Sequence, residues 1–302
     1  MGRVRKRNLL ITIILILFFG SYARHRFIAK EITITGRLQN RQMTEISGIA
    51  ASGIFKDVYY IHNDSGDTSR IFSISPDGKL KNTIYYNGDK KELLGVADCE
   101  DIAVSIGPLP GKSYVYVGDI GDNSGYRKYI TIYRIEEKPS WAKDSLIKTT
   151  AVPLHLKYPD GPKDAETLMI DPVQKLFYIV SKRGDTVGVY TTPLNYKPND
   201  TLTLTKRSKL FFEGIKPFKW TTAGDISRDG KQVLLKNYQK VYYWQRTGTE
   251  HIWQTMQRKP RELPYQVEKQ GEAIGFTLDG KGYYTTSEGV FAPIYYYRSP
   301  GQ

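Results

Sequence analysis

From about residue 45 onward, apolar residues fall in short strand-length runs separated by clusters of Gly, Pro, Asn, Asp and Ser. No run keeps the 3.6-residue spacing of an amphipathic helix, and such runs bounded by turn residues read as β-strands. They also recur in a fixed order. Five segments open the units: Glu45-Ile-Ser-Gly-Ile-Ala50, Asp98-Cys-Glu-Asp-Ile-Ala103, Asp164-Ala-Glu-Thr-Leu-Met169, Thr222-Ala-Gly-Asp-Ile-Ser227 and Gln270-Gly-Glu-Ala-Ile-Gly275. Aligned on Ile49, Ile102, Leu168, Ile226 and Ile274, they are 53, 66, 58 and 48 residues apart. Two positions before that anchor stand Ser47, Glu100, Glu166, Gly224 and Glu272.

Each opening is followed by a second run (Val58 to Ile61, Tyr114 to Val117, Leu176 to Val180, Gln232 to Leu235, Gly282 to Thr285). A third follows in turn, at Arg70 to Ile74, Ile130 to Ile135, Gly188 to Tyr190, Val241 to Trp244 and Ile294 to Tyr297. Pro76-Asp77-Gly78, Asp229-Gly230 and Asp279-Gly280 supply turn chemistry between runs. Fourth runs stand at Leu80 to Tyr86, Thr150 to Leu156 and Leu202 to Phe212, with a weak one around His251 to Met256. The fifth unit has none, but an orphan strand at residues 31–35 precedes the first unit. The expected fold is therefore all-β: one β-propeller of five four-stranded blades, its ring closed by the N-terminal strand. Six blades is the alternative, with the extra one inside the 66-residue step around Pro139 to Asp144.

The chain's first residues read as an address. Arg3, Arg5, Lys6 and Arg7 precede Leu9 to Phe19, an apolar stretch broken only by Thr12, and Ser21-Tyr22-Ala23 offers a small-x-small cleavage site. About eleven residues span only ~16 Å as a helix, short of a ~30 Å hydrocarbon slab. Residues 1–23 are accordingly expected to be a signal peptide, or an uncleaved membrane anchor, and residues 24–302 a single propeller domain. The protein is then exported: periplasmic, secreted, or anchored on the outer face of the cytoplasmic membrane.

Composition adjusts this picture at three points. Tyrosine appears 23 times, which suits half-buried strand faces. The formal net charge is +13, but four of those positive charges belong to the leader, and an exported chain does not ordinarily meet chromosomal DNA or ribosomal RNA. The excess is assigned to an anionic ligand or envelope component, with no nucleic acid and no membrane contact beyond the N-terminal segment. Cys99, the single cysteine, cannot make an intramolecular disulfide, and a small buried hydrophobe is the expected role. A monomer is expected.

Ser47-Gly48-Ile49-Ala50, Tyr60-Ile61-His62-Asn63-Asp64-Ser65-Gly66 and Arg70-Ile71-Phe72-Ser73-Ile74 together resemble the opening blade of exported bacterial propellers of the phytase-like (esterase-like) and SdiA-regulated families. Asp98-Cys99-Glu100-Asp101-Ile102-Ala103 and Asp164-Ala165-Glu166-Thr167-Leu168 look like their recurring Asp-x-Glu-Gly-(Ile/Leu)-Ala strands. The likeness spans most of residues 45–297. It departs where glycine follows glutamate in those families, since Asp101, Thr167 and Ala273 stand there instead. The aspartate-rich signatures of calcium-loaded phytases are absent.

In a propeller the first strand of each blade lines the channel, so Glu100, Glu166 and Glu272 are expected near one level, with Asp98 and Asp164 nearer the mouth. Loops between second and third strands add His62, Asn63, Asp64, Asp67, Asp119, Asp122 and Asn123, then Lys182, Arg183, Lys236, Asn237 and Glu288. Converging carboxylates repel unless a cation is present, and all-oxygen donors suit Ca²⁺. Asp98, Glu100, Asp164, Glu166 and Glu272 are the candidate metal ligands. The competing and favoured role for these acids is structural, each glutamate accepting backbone N–H groups of a neighbouring blade. His62 with Asp64 or Asp119 is the candidate base and orienting acid for activating water. Lys182, Arg183, Lys236, Asn237 and Glu288 are candidate ligand-binding residues, against solvated loop charges. No organic cofactor is expected. Three functions fit: an envelope propeller whose acidic mouth binds a ligand or partner, with a divalent cation as one means; a calcium-dependent hydrolase of phosphoesters or esters, as the resemblance implies; and a lactonase-like propeller with one central metal.

Overall fold

The computed structural model describes residues 32–300. The expected leader at residues 1–23 lies outside them. Within them no helix is long and apolar enough to cross a membrane.

Blade I consists of β2 (Ile46–Ala51), β3 (Tyr59–Asn63), β4 (Arg70–Ile74) and β5 (Leu80–Tyr86). Blade II is β6 (Cys99–Ile106), β7 (Ser113–Asp119), β8 (Ile130–Glu136) and β10 (Val152–Lys157), while β9 (Leu146–Thr149), between β8 and β10 in the chain, joins blade I. Blade III holds β11 (Ala165–Asp171), β12 (Leu176–Ser181), β13 (Thr186–Pro193) and β15 (Thr205–Phe211), after a short β14 (Thr201–Thr203). Blade IV is β16 (Thr221–Ile226), β17 (Gln232–Asn237), β18 (Val241–Gln245) and β19 (Arg261–Leu263). Blade V takes β20 (Ala273–Phe276), β21 (Gly282–Thr286) and β22 (Pro293–Arg298), and its outer strand is β1 (Ile32–Arg37). β1 pairs antiparallel to β22, Ile32 opposite Tyr297 and Arg37 opposite Pro293. The chain's first described strand thus completes its last blade, and the innermost strands touch in succession around the ring, β20 returning to β2.

Burial follows from blades packing on both faces. The second strands are the interior of each sheet: β3, β7, β17 and β21 are buried at every position and β12 at all but its first residue. That is why the sequence shows continuous apolar runs there rather than alternation. Five hydrophobic clusters fill the five blade interfaces. Tyrosine serves them because a ring fills the gap between sheets while its hydroxyl reaches a carbonyl at the edge. Tyr116 Oη donates to Ile106 O (2.7 Å) and Tyr283 Oη to Pro264 O (2.8 Å). Asp229-Gly230 and Asp279-Gly280 turn the β16–β17 and β20–β21 hairpins alike. The aspartate accepts from the N–H two residues on (3.0 and 3.1 Å), and the glycine takes a positive φ of 71° and 68°.

Four expectations change in detail. The long second step holds no sixth blade: Pro139–Lys143 is a single 3₁₀ turn, and β9 joins the outer edge of blade I parallel to β5. Residues 202–212 split, because β14 pairs with β10 of blade II while β15 stays in blade III. His251 to Met256 is not a strand but a one-turn helix, α1 (Ile252–Thr255), whose Ile252 and Met256 plug the interface of blades III and IV. The fourth strand of blade IV comes later, at β19, where only three residues pair. Cys99 is buried and free, as expected.

Candidate functional site at the mouth of the ring

The mouth is built by tying each loop between second and third strands to the segment entering the first. Asp64 N donates to Glu45 O (2.7 Å), Lys182 N to Asp164 O (2.9 Å) and Glu288 N to Gln270 O (3.1 Å), equivalent bonds in blades I, III and V. In blade II, Gly121 N reaches Asp98 O (3.1 Å). These bonds bring the loop acids level with the acids of the first strands.

The acids then divide by blade. On blade III both are matched by cations: Glu166 pairs with Lys182, and Asp164 with Arg183 Nε at 2.5 Å. On blades V, I and II, Asp64, Asp98, Glu100, Glu272 and Glu288 crowd together with no salt bridge among the described residues, although Asp67 and Asp119 beside them are paired with Arg70 and Arg127. Ligand oxygens of Asp64, Asp98 and Glu100 lie within 4.8 Å of one another, and so do those of Asp64, Glu272 and Glu288. Asp64 is common to both triplets. Burial, with Asp98 and Glu272 nearby, pushes the Asp64 carboxyl up to about 7, although Ser65 N and Lys182 pull it down. Burial and the charge of Asp164 raise Asp98 to about 6. Glu288 rises to about 8 through burial and its contact with Glu272. Glu100, 2% exposed, is held well above the usual carboxylate range by burial and by Asp64 and Asp98.

The donor set fits a hard divalent cation. Carboxylate oxygens gathered this closely could share one divalent cation. Backbone space is kept for them at Gly121, where an added Cβ would overlap Asp98 Oδ2 and Glu100 Oε1. Of the five residues expected to hold a metal, Asp98, Glu100 and Glu272 meet in the cluster. Asp164 and Glu166 are in ion pairs instead, and Asp64 and Glu288 take their place.

The other expected site residues are placed as follows. His62 is 1% exposed; its Nδ1 meets Asn63 O at 2.8 Å, its Nε2 has no partner, and burial lowers its pKa to about 4. No hydrogen bond joins it to Asp64 or Asp119. The Asp119 carboxylate instead accepts Ala97 N (3.1 Å) and Asp98 N (3.0 Å) and pairs with Arg127 (2.8 Å), which fixes the entry to β6. Lys236 is fully buried rather than at the mouth. Its Nζ donates to Gly271 O and lies 4.6 Å from the Tyr265 ring centre, and burial lowers its pKa to about 8. It anchors the backbone just before Glu272, whose carboxylate accepts from Tyr238 Oη at 2.5 Å. Asn237 caps a turn, its Oδ1 accepting Gln239 N (2.9 Å) and Lys240 N (2.7 Å).

Blade ties do exist, one residue along from the glutamates. Asp101 accepts Leu168 N of blade III (2.8 Å) and its own neighbour Ile102 N (2.8 Å). Asp225 does the same for Phe276 N of blade V (2.8 Å) and Ile226 N (2.8 Å). The signal was the Asp-Ile pair at the anchor, present only in Asp101-Ile102 and Asp225-Ile226 among the five openings.

Comparison with known proteins adds little to this geometry. No family model matches the chain, and no curated protein matches it. Among solved structures it is similar to one described as the structure of the Dos1 propeller. The identity is 12% and the TM-score 0.39, over 83% of this chain and 67% of that one. The propeller assignment rests on the strand pairing itself.

Proposed function

We propose that this is an exported envelope propeller whose mouth holds a divalent cation, Ca²⁺ by donor chemistry, between blades V, I and II, and through it captures an anionic ligand or partner. The observation that carries the reading is the pair of carboxylate triplets sharing Asp64, none of whose members makes a salt bridge among the described residues. Asp64, Asp98, Glu100, Glu272 and Glu288 would hold the ion, which supplies charge neutralisation and open positions for an anion. Lys182 and Arg183 bound the cluster on the blade III side and repel a second cation there. The charged, then apolar, N-terminus and the resemblance to exported phytase-like propellers support the export half of the proposal.

A thermal melt of the protein with millimolar calcium and then with chelator tests it. An ion at ~100 times its dissociation constant adds ~2.7 kcal/mol to stability. At roughly 2–4 °C per kcal/mol for a chain of this size, the expected rise is about 5–10 °C. Glu272→Gln and Gly121→Ala should each cut the rise by more than half, the first by removing a ligand's charge and the second by displacing two ligands. Overlaid curves with and without calcium would end the cation reading.

Asp64 supports one further reading, the metal-dependent hydrolase. A cation held at Asp64 would polarise a water beside the other carboxylates of the two triplets, which could take its proton. Calcium-dependent turnover of an aryl phosphate or aryl ester, lost in Asp64→Asn, is its test.

A further inference from the structure

At the opposite end of the ring from the mouth, blade I carries a groove of about 680 Å³. It runs between the β2–β3 turn, the β4–β5 turn and the 3₁₀ turn at Pro139–Lys143, so three separate segments build it. That volume is the size of a small-molecule site. Its walls are apolar, with Ile54, Phe55, Val58 and Leu80 lining it and Trp141 at its base. Along these walls stand Lys56, Lys79, Lys81 and Lys143, against one lining acid, Asp144.

None of the four lysines takes part in a salt bridge among the described residues. The floor offers them no free anion either. Asn82 Nδ2 donates to Trp141 O (2.9 Å), and Ser73 donates to Asn82. The carboxylate behind the floor, Glu137, is already held by Ser52 Oγ (2.6 Å), Gly53 N (3.0 Å) and Tyr60 Oη (2.9 Å). Four like charges around one apolar hollow, balanced nearby only in part by Asp144 and by Asp77 beside Lys79, give it a positive potential that favours entry of an anion.

We propose that this groove binds a small amphiphilic anion. Its apolar body rests against Ile54, Phe55 and Leu80, and its carboxylate, sulfonate or phosphate head lies between the lysines. A free small molecule is the occupant, because the lysines line the walls of a hollow rather than standing on a flat face. The groove is independent of the acidic mouth, so either proposal can fail alone.

The test uses the full-length protein and the fluorescent anion anilinonaphthalene sulfonate, beside its uncharged analogue phenyl-naphthylamine. The anion should bind saturably, more weakly as salt is raised. Lys79→Glu combined with Lys81→Glu, both at exposed positions, should weaken it about tenfold or more without altering the calcium-dependent melt. Ile54→Ser should weaken both dyes, and Lys216→Glu, at the mouth end, should change neither. An unchanged dissociation constant in the double lysine variant would overturn the proposal, as would equal affinity for the uncharged analogue.

Discussion

Replacing Asp98 by Asn separates a cation ligand from a structural acid more cleanly than any other change at the mouth. No hydrogen bond of the Asp98 side chain is lost, since among the described residues Asp98 bonds through its backbone N and O. Its carboxyl is raised from 3.8 to about 6, so without metal the folded state holds the proton more tightly than the unfolded state. The contribution to stability is therefore complete below about pH 4 and is lost as pH rises toward 6. At ~1.4 kcal/mol per pH unit this is about 3 kcal/mol, or roughly half that once solvent screening at a partly exposed carboxyl is counted. Asp98→Asn escapes the loss. In chelator at pH 7 the variant should melt about 3–6 °C above the wild type, and at pH 3.5 the two should coincide. With saturating calcium the order should reverse, because only the wild type keeps the charged carboxylate that binds the ion most strongly. Melting curves at two pH values, each with calcium and with chelator, read all four states. A variant that melts below the wild type in chelator at pH 7 would refute the reasoning, since it would mean that the charged carboxylate is held by the protein itself.

Other changes probe the frame around that site. Asp101→Ala leaves Leu168 N and Ile102 N without their partner and should cost about 2–5 kcal/mol by chemical denaturation. Thr167→Ala, at the equivalent position of blade III, breaks no side-chain hydrogen bond among the described residues and should cost under about 1 kcal/mol. Lys182→Met strips the partner from buried Glu166 and should cost about 3–5 kcal/mol at pH 7, most of it recovered by adding Glu166→Gln.

The repeat was legible because packing on both faces forces the same apolar run into every second strand, and a spacing near fifty residues then declares the ring. Closure was legible too, since the run at residues 31–35 had no unit of its own. What the pattern could not carry was anything set by a single blade. Residues 251–256 look like a strand by composition, yet Ile252 and Met256 are there to fill one interface from a helical turn. Leu202 to Phe212 reads as one run, but its two halves pair with different sheets. Period-based reading averages over blades, and these features exist because the blades differ.

The same limit explains the site. Alignment on the anchor residue puts Glu100, Glu166 and Glu272 at one position of the repeat and treats them as equivalent. Their chemistry is decided by what the neighbouring loop brings: Lys182 and Arg183 in blade III, Asp64 in blade I, Glu288 in blade V. A ring of like acids all matched by lysines would be a structural belt, and one with none matched would spread its repulsion evenly around the channel. This ring is matched on one side and open on the other. Two cations on blade III leave the remaining repulsion concentrated where Asp64 sits between Asp98 and Glu272, and the folded carboxyls there are pushed toward neutral pH. Without metal such a cluster keeps part of its protons at neutral pH, and under the proposed reading a cation of charge two replaces them, answering two carboxylates at once where a proton answers one.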